Sequence, residues 1–250
     1  MAEIATLRGF MKSNFPDLER IDSDQKLGRP QPPLQKAVAG GASAIALPPP
    51  DPGVLTERDV HTCFKRRRSR RSWAPGGLTL EELSFLLWAT QGVQRVFGRN
   101  YSTFRPVPSG GARHPFETYL AVTQVTGLTG GLYRYLPLTH ALLAERPGIT
   151  VAQPLASATL GQTFVGEAPV VFLWSCIPYR GEWRYTIAAH KIMLLDAGHL
   201  CQNLYLACEA IGCGTCAVAA YDQRLIDAFV GVDGEDEFIV YLAPVGRVRH

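Results

Sequence analysis

The chain has 250 residues, 46% of them hydrophobic and 19% charged, with a formal net charge of +3. Folding at this length buries roughly 70–75% of the surface that the unfolded chain exposes, and the charged fraction lies below the ~25% of an average soluble domain. Collagen, coiled-coil, disordered and small disulfide-scaffold classes are thereby excluded, and the length allows one large domain or two small ones.

The N-terminal stretch Met1 to Arg20 carries charge throughout and has no secretory apolar region, so the six Cys are expected to be reduced thiols in a cytoplasm. No apolar run reaches the ~18 residues of a membrane span. Residues 1–29 have room for one short helix. Pro30 to Pro52 holds seven of the 18 Pro, and reads as an extended strap rather than core. The division expected is therefore an N-terminal extension and strap over 1–54 and one folded domain over 55–250.

Thr56-Glu57-Arg58-Asp59 can cap a helix whose buried face is Val60, Cys63 and Phe64. Thr79-Leu80-Glu81-Glu82 is a capping box, and Leu83, Leu86, Leu87 and Thr90 continue it as one stripe, which predicts a helix over 80–91 ended by Gly92. Strands are expected over 116–126 and 131–135, with a turn at 127–130, and a central strand over 168–176. Residues 187–211 form the longest helical pattern, apolar on most sides, as suits a core or a subunit interface. Asp222 caps a short helix to Phe229, and Phe238 to Leu242 makes a last strand. The order is mixed, without repeating βαβ units, which predicts an α+β layered fold.

Four constellations could carry chemistry. The 25 basic residues are 20 Arg and only 5 Lys, and six of them crowd into Lys65-Arg66-Arg67-Arg68-Ser69-Arg70-Arg71. A solvated helix end, a phosphate-binding cluster and a nucleic-acid site all stay open for this run. The near-neutral remainder of the chain offers no basic stripe to extend the third. In an extended segment Arg67, Ser69 and Arg71 point to one side, converging on an anionic, hydroxylated ligand. Pro108-Ser109-Gly110-Gly111-Ala112-Arg113-His114-Pro115 is a rigid-ended loop whose glycines allow close backbone approach to a flat ligand. Cys201, Cys208, Cys213 and Cys216 lack the downstream fourth ligand of a plant-type iron–sulfur site, so packing is the expected role and no metal is expected. Arg247 and Arg249, at i and i+2, could share a phosphate or form a solvated tail.

In this order the pieces resemble the FMN-dependent nitroreductase superfamily, most closely its SagB-type branch of thiazoline and oxazoline dehydrogenases. The resemblance rests on Arg-Arg-Ser-x-Arg-x-Trp (67–73), the 78–92 helix, Pro-Ser-Gly-Gly-Ala-Arg-His-Pro (108–115), Gly-Leu-Tyr-Arg-Tyr (131–135), Asp-Ala-Gly-His-Leu-Cys-Gln-Asn-Leu (196–204), Gly-Cys-Gly-Thr-Cys-Ala-Val-Ala-Ala (212–220) and Tyr-Leu-Ala-Pro-Val-Gly (241–246). It implies a central, mostly antiparallel sheet flanked by helices, and a cytoplasmic homodimer with FMN at the interface. By that resemblance Arg67 meets the phosphate with Arg68 beside it, Ser69 the ribityl chain, and Arg71 the N1/O2 edge of the ring, where a cation stabilises reduced flavin. Pro108, Ser109 and Gly110 reach the flavin from the second subunit, Gly212, Gly214 and Thr215 cover a ring face, and Arg247 and Arg249 are further phosphate contacts.

The activity implied is ping-pong hydride transfer between transiently bound NADH or NADPH and a small nitro, quinone or enone-like acceptor. The alternative is an azoline dehydrogenase acting on a peptide-derived heterocycle with oxygen as acceptor. The Lys-Tyr pair associated with azoline dehydrogenases has no counterpart here, since the sequence contains no Lys-Tyr dipeptide. The alternative of another class is a nucleic-acid-binding protein that uses the 65–71 run.

Overall fold

A computed structural model describes residues 2–40, 44–99 and 101–248. The chain opens with α1 (Ala2–Gly9), a 3-10 turn (Phe15–Arg20) and an extended strap that ends in a short strand, β1 (Ala44–Ala46). Then come α2 (Val60–Arg66), α3 (Leu80–Gln91), the hairpin β2 (Arg95–Phe97) and β3 (Ser102–Phe104), and the meander β4 (Phe116–Val122), β5 (Gly131–Leu136) and β6 (Ala141–Pro147). Two short helices, α4 (Ala152–Ala158) and α5 (Thr163–Gly166), lead to the central strand β7 (Val170–Cys176). The chain closes with α6 (Tyr179–Tyr185), the long α7 (Ala189–Ala210), β8 (Cys213–Thr215), α8 (Gln223–Val230) and β9 (Phe238–Arg247).

Seven strands form one sheet in the order β1-β6-β5-β4-β7-β9-β8, and every neighbouring pair is antiparallel. Strands β4 and β7 are buried along their whole length, so helices must cover both faces. The period-2 alternation of a strand sorts the side chains. Leu120, Val122, Phe172 and Trp174 pack with α3 and α7, whereas Tyr119, Ala121, Val171 and Leu173 pack with α4 and α8. This is the layered α+β architecture that the element order predicts. Among the described residues no helix is long and apolar enough to cross a membrane.

Sequence expectations and structure differ at four places. The strap is extended but not detached: β1 pairs with β6, Leu47 is buried, and Arg134 donates to the carbonyls of Lys36 (3.0 Å) and Ala37 (2.9 Å). Its Lys36 forms an ion pair with buried Glu237. In α2, Asp59 caps the helix as expected, yet only Cys63 of the expected face is buried, because α7 covers that side alone and leaves Val60 and Phe64 exposed. Strand β4 stops at Val122, where the backbone of Thr123 and Gln124 turns to donate to Pro169. Strand β9 runs five residues past Leu242, because β7 and β8 flank it and supply partners through Arg247. Helix α3 carries both halves of the predicted capping box and ends at Gly92.

Candidate active site

Helix α2 ends at Arg67, whose amide closes the last turn on Cys63 (2.9 Å), and the basic run leaves it extended. The strand-like course has a cause: Ser69 bridges Thr215 in parallel, and the Arg70 amide donates to the Thr215 carbonyl (2.9 Å). The segment thus lies along β8, and alternation then divides its side chains. Arg67 and Ser69 both reach Tyr205 of α7. The Arg67 guanidinium lies over the phenol ring at 5.3 Å, a cation–π contact, and the Ser69 hydroxyl is hydrogen-bonded to the Tyr205 hydroxyl at 2.9 Å. The same phenolic oxygen accepts from the Ala217 amide (2.8 Å), which fixes the loop after β8. Arg70 turns the other way, against Gly214, where an added Cβ would stand 2.5 Å from Arg70 Cγ and 2.6 Å from Val248 Cγ1. Glycine at 214 is therefore what lets the run sit so close to β8.

Arg67, Arg68 and Arg71 make no ion pair among the described residues, and Arg68 and Arg71 are exposed. Arg67 and the Ser69 hydroxyl share Tyr205, and with Arg68 and Arg71 exposed in the same run the segment offers donors suited to a phosphate ester. Arg247 is differently placed. Its Nη2 donates to both oxygens of Glu82 (2.8 and 2.6 Å), and Nε and Nη1 face the Gly77 and Ile211 carbonyls (3.3 Å each). Burial opposes its charge, but Glu82 and Cys213 together outweigh that and raise its pKa above the ordinary arginine value. The guanidinium is committed to its own chain. Thr215 is buried, with its hydroxyl donating to the Pro244 carbonyl (2.8 Å), and Gly212 turns with φ +69°. Arg249 lies outside the described residues.

The 108–110 loop occupies a second patch. Ser109 Oγ donates to Asp196 on α7 at 2.6 Å, and the Gly110 amide faces the same carboxylate at 3.2 Å. From Asp196 to Tyr205 is nine residues, or about 14 Å of helix at 1.5 Å per residue. Within one chain, then, the two groups of expected site residues sit at separate stations on α7 and do not meet.

Around the Asp196 station α7 turns an apolar stripe outward: Ile187 just before the helix, then Leu194 (50% exposed), Leu195 (56% exposed) and Gly198. The other face of the helix, with Met193, Ala197, Leu200, Cys201, Leu204 and Cys208, is core. All six cysteines are free and buried, and among the described residues no three His, Cys, Asp or Glu side chains gather as metal ligands. Burial pushes the Cys201 and Cys213 thiols up to about 12.

The nitroreductase family model matches residues 64–247, from the end of α2 to the last residue of β9. The chain belongs to the nitroreductase family. A nitroreductase-like protein of Methanocaldococcus jannaschii is 34% identical over 193 residues, covering 77% of this chain and 93% of that one. The trifolitoxin-processing protein TfxB of Rhizobium leguminosarum bv. trifolii is 26% identical over 166 residues, 64% of this chain. The match spans 44% of TfxB, so less than half of that protein has a counterpart here. A solved nitroreductase-like structure from Ralstonia eutropha JMP134 superposes with a TM-score of 0.67 at 27% identity, covering 88% of this chain and 99% of that one. Membership makes the protein an oxidoreductase, and the likeness to TfxB supports the SagB-type branch of the family.

Several residues of this geometry carry no signal in the motifs. Tyr205 sits in the apolar pattern of α7, and the only hint is that a buried phenol needs a polar partner. Glu82 reads as a helix cap alone, although it also holds Arg247. Asp196 opens the 196–204 motif, whose spacing gives it no role of its own.

Proposed function

We propose that the protein is a homodimeric FMN-dependent oxidoreductase. The observation that carries this is Arg67 and Ser69 gathered on Tyr205, in a run whose Arg68 and Arg71 are exposed and without an ion pair among the described residues, on a backbone brought close by Gly214. That set fits FMN: guanidinium groups for the phosphate, a hydroxyl for the ribityl chain, and Arg71 as the cation for the ring edge. When bound, FMN would take a hydride from NADH or NADPH and return it to a small nitro, quinone or enone-like acceptor.

A second subunit completes the site. An isologous, antiparallel pairing of α7 with its copy about Gly198 would bury Leu194 and Leu195 and bring Asp196 of one helix to about 7.5 Å of helix rise from Tyr205 on the other, nearer than the two lie within one chain. Ser109 and Gly110 of one chain would then meet the arginine station of its partner, and Gly212 to Thr215 would flank the ring. Arg247 would act on the phosphate only while shared with Glu82. For a nucleic-acid role the run is poorly disposed, since Arg67 folds onto Tyr205 and Arg70 onto β8 of its own chain.

The likeness to TfxB favours a second reading, oxidation of a peptide-derived azoline with oxygen as acceptor. Anaerobic titration of the flavin-loaded protein with NADH and NADPH separates the two. Bleaching of the flavin bands by either nucleotide is the result expected of a reductase. Bands untouched by both nucleotides, in a protein that turns over a thiazoline- or oxazoline-containing peptide in air, would overturn it in favour of the dehydrogenase.

A further inference from the structure

The Asp196-Ala197-Gly198-His199 stretch closes the first half of α7. From it we infer that Asp196 is a positioning residue, holding the 108–114 loop in the shape in which Ser109 and Gly110 can face a flavin. The inference rests on the flavin reading above and deepens it.

The carboxylate of Asp196 is buried, at 5% exposure, and it faces the loop. Its Oδ2 accepts from Ser109 Oγ at 2.6 Å, and both of its oxygens lie 3.2 Å from the Gly110 amide. The hydroxyl so oriented accepts in turn from the His114 amide at 2.9 Å. One carboxylate therefore fixes both ends of a six-residue loop, directly at Ser109 and Gly110 and through Ser109 at His114.

The loop needs such a clamp. Gly111, Ala112 and His114 have φ of +58°, +53° and +44°. Two of the three carry side chains, and for them this conformation is costly and persists only where the surroundings hold it. Gly110 lies flat on α7, with no room for a Cβ beside Ile192. On the far side Arg113 donates to the Gly111 carbonyl (3.0 Å) and stacks on Tyr101 at 4.8 Å. The residues flanking Asp196 on the outer face, Leu195 and His199, are exposed, and Leu195 belongs to the stripe assigned above to the second subunit. The loop is thus fastened to the helix that forms the proposed interface, so dimer formation and loop placement share one element.

The test uses the full chain with Asp196→Asn, Ser109→Ala and the double variant, measured for FMN dissociation constant, dimer mass and amide hydrogen exchange without flavin. Each single variant is expected to weaken FMN binding about tenfold, the scale of a hydrogen bond to a charged group. The double variant should be no weaker than the worse single, because the two residues act as one device. In the flavin-free protein the Gly110 and His114 amides should exchange faster, while β4 and β7 stay protected and the dimer mass is unchanged. Unaltered exchange at Gly110 and His114 in Asp196→Asn would overturn the clamp. Faster exchange there with unchanged FMN affinity would show that the loop does not serve the flavin, and faster exchange across β4 and β7 as well would reduce Asp196 to general stability. If the wild-type protein binds no FMN, the flavin reading fails, and the exchange measurement still decides whether Asp196 holds the loop.

Discussion

Tyr205→Phe isolates the contact on which the arginine station is built. The substitution keeps the ring beneath Arg67 and removes one oxygen. That oxygen is bonded to Ser69 Oγ (2.9 Å) and accepts from the Ala217 amide (2.8 Å), so two interactions go, and a half-buried N–H loses its partner. An unsatisfied buried donor costs about 1–3 kcal/mol, and partial access of water to Ala217 places this case at about 1–2 kcal/mol. At roughly 2–4 °C per kcal/mol for a chain of this size, the melting temperature should fall by about 2–8 °C. Ser69, released from its anchor, should bind FMN about three- to tenfold less tightly, the equivalent of one net hydrogen bond. Calorimetry and fluorescence titration of FMN provide the two readouts. Tyr205→Ala should do worse on both counts, since it also takes away the surface on which Arg67 lies. A Tyr205→Phe protein that melts within a degree of wild type and binds FMN equally well would refute the proposal that Tyr205 organises the station.

Three further predictions follow from the same geometry. Leu195→Asp places a charge in the exposed stripe of α7 and should yield a monomer by light scattering that no longer retains FMN; a dimer of unchanged stability would move the interface elsewhere. Glu82→Ala removes both the cap on the Thr79 amide and the partner of Arg247, and should cost about 2–4 kcal/mol in denaturant unfolding. Arg247→Ala should share most of that loss and add little to it in the double variant, whereas FMN loss without destabilisation would return Arg247 to the phosphate. Burial, with Arg105 nearby, holds His114 neutral down to about pH 2, and its Nε2 faces the Thr103 carbonyl. The unfolded chain protonates this ring near its ordinary 6.5, so the stability it supports at neutral pH is lost as pH falls below about 6.5, by up to ~1.4 kcal/mol per pH unit. Urea midpoints at pH 7 and pH 5 should differ less in His114→Gln than in wild type, and equal differences would contradict the assignment.

The elements most legible in the sequence are those whose stability is local or strictly periodic. The capping box at Thr79 and Glu82, the stripe from Leu83 to Thr90 and the unbroken apolar run of β7 need no knowledge of partners. Elements that exist only through pairing escaped it. The three residues of β8 form a strand because β9 lies beside them, and β1 because β6 does. The hairpin of β2 and β3 has exposed Val96, Phe97 and Phe104, so it lacks the alternation of a half-buried strand. At the site, alternate spacing brought Arg67 and Ser69 to one side, as an extended segment must. It could not show that Arg247 is claimed by Glu82, 165 residues earlier in the chain, because a long-range ion pair leaves no trace in spacing. Nor could it show that the 108–110 loop and the basic run stand at separate stations on α7.

The most direct test of the central claim is the FMN stoichiometry of the purified protein, read from its visible spectrum after reconstitution, for wild type, Arg67→Ala and Arg71→Ala. A wild-type protein holding one FMN per chain, with each variant depleted because a charge-assisted contact to the same ligand is gone, is the predicted result. A wild-type protein that stays colourless, or both variants retaining full FMN, would contradict the account.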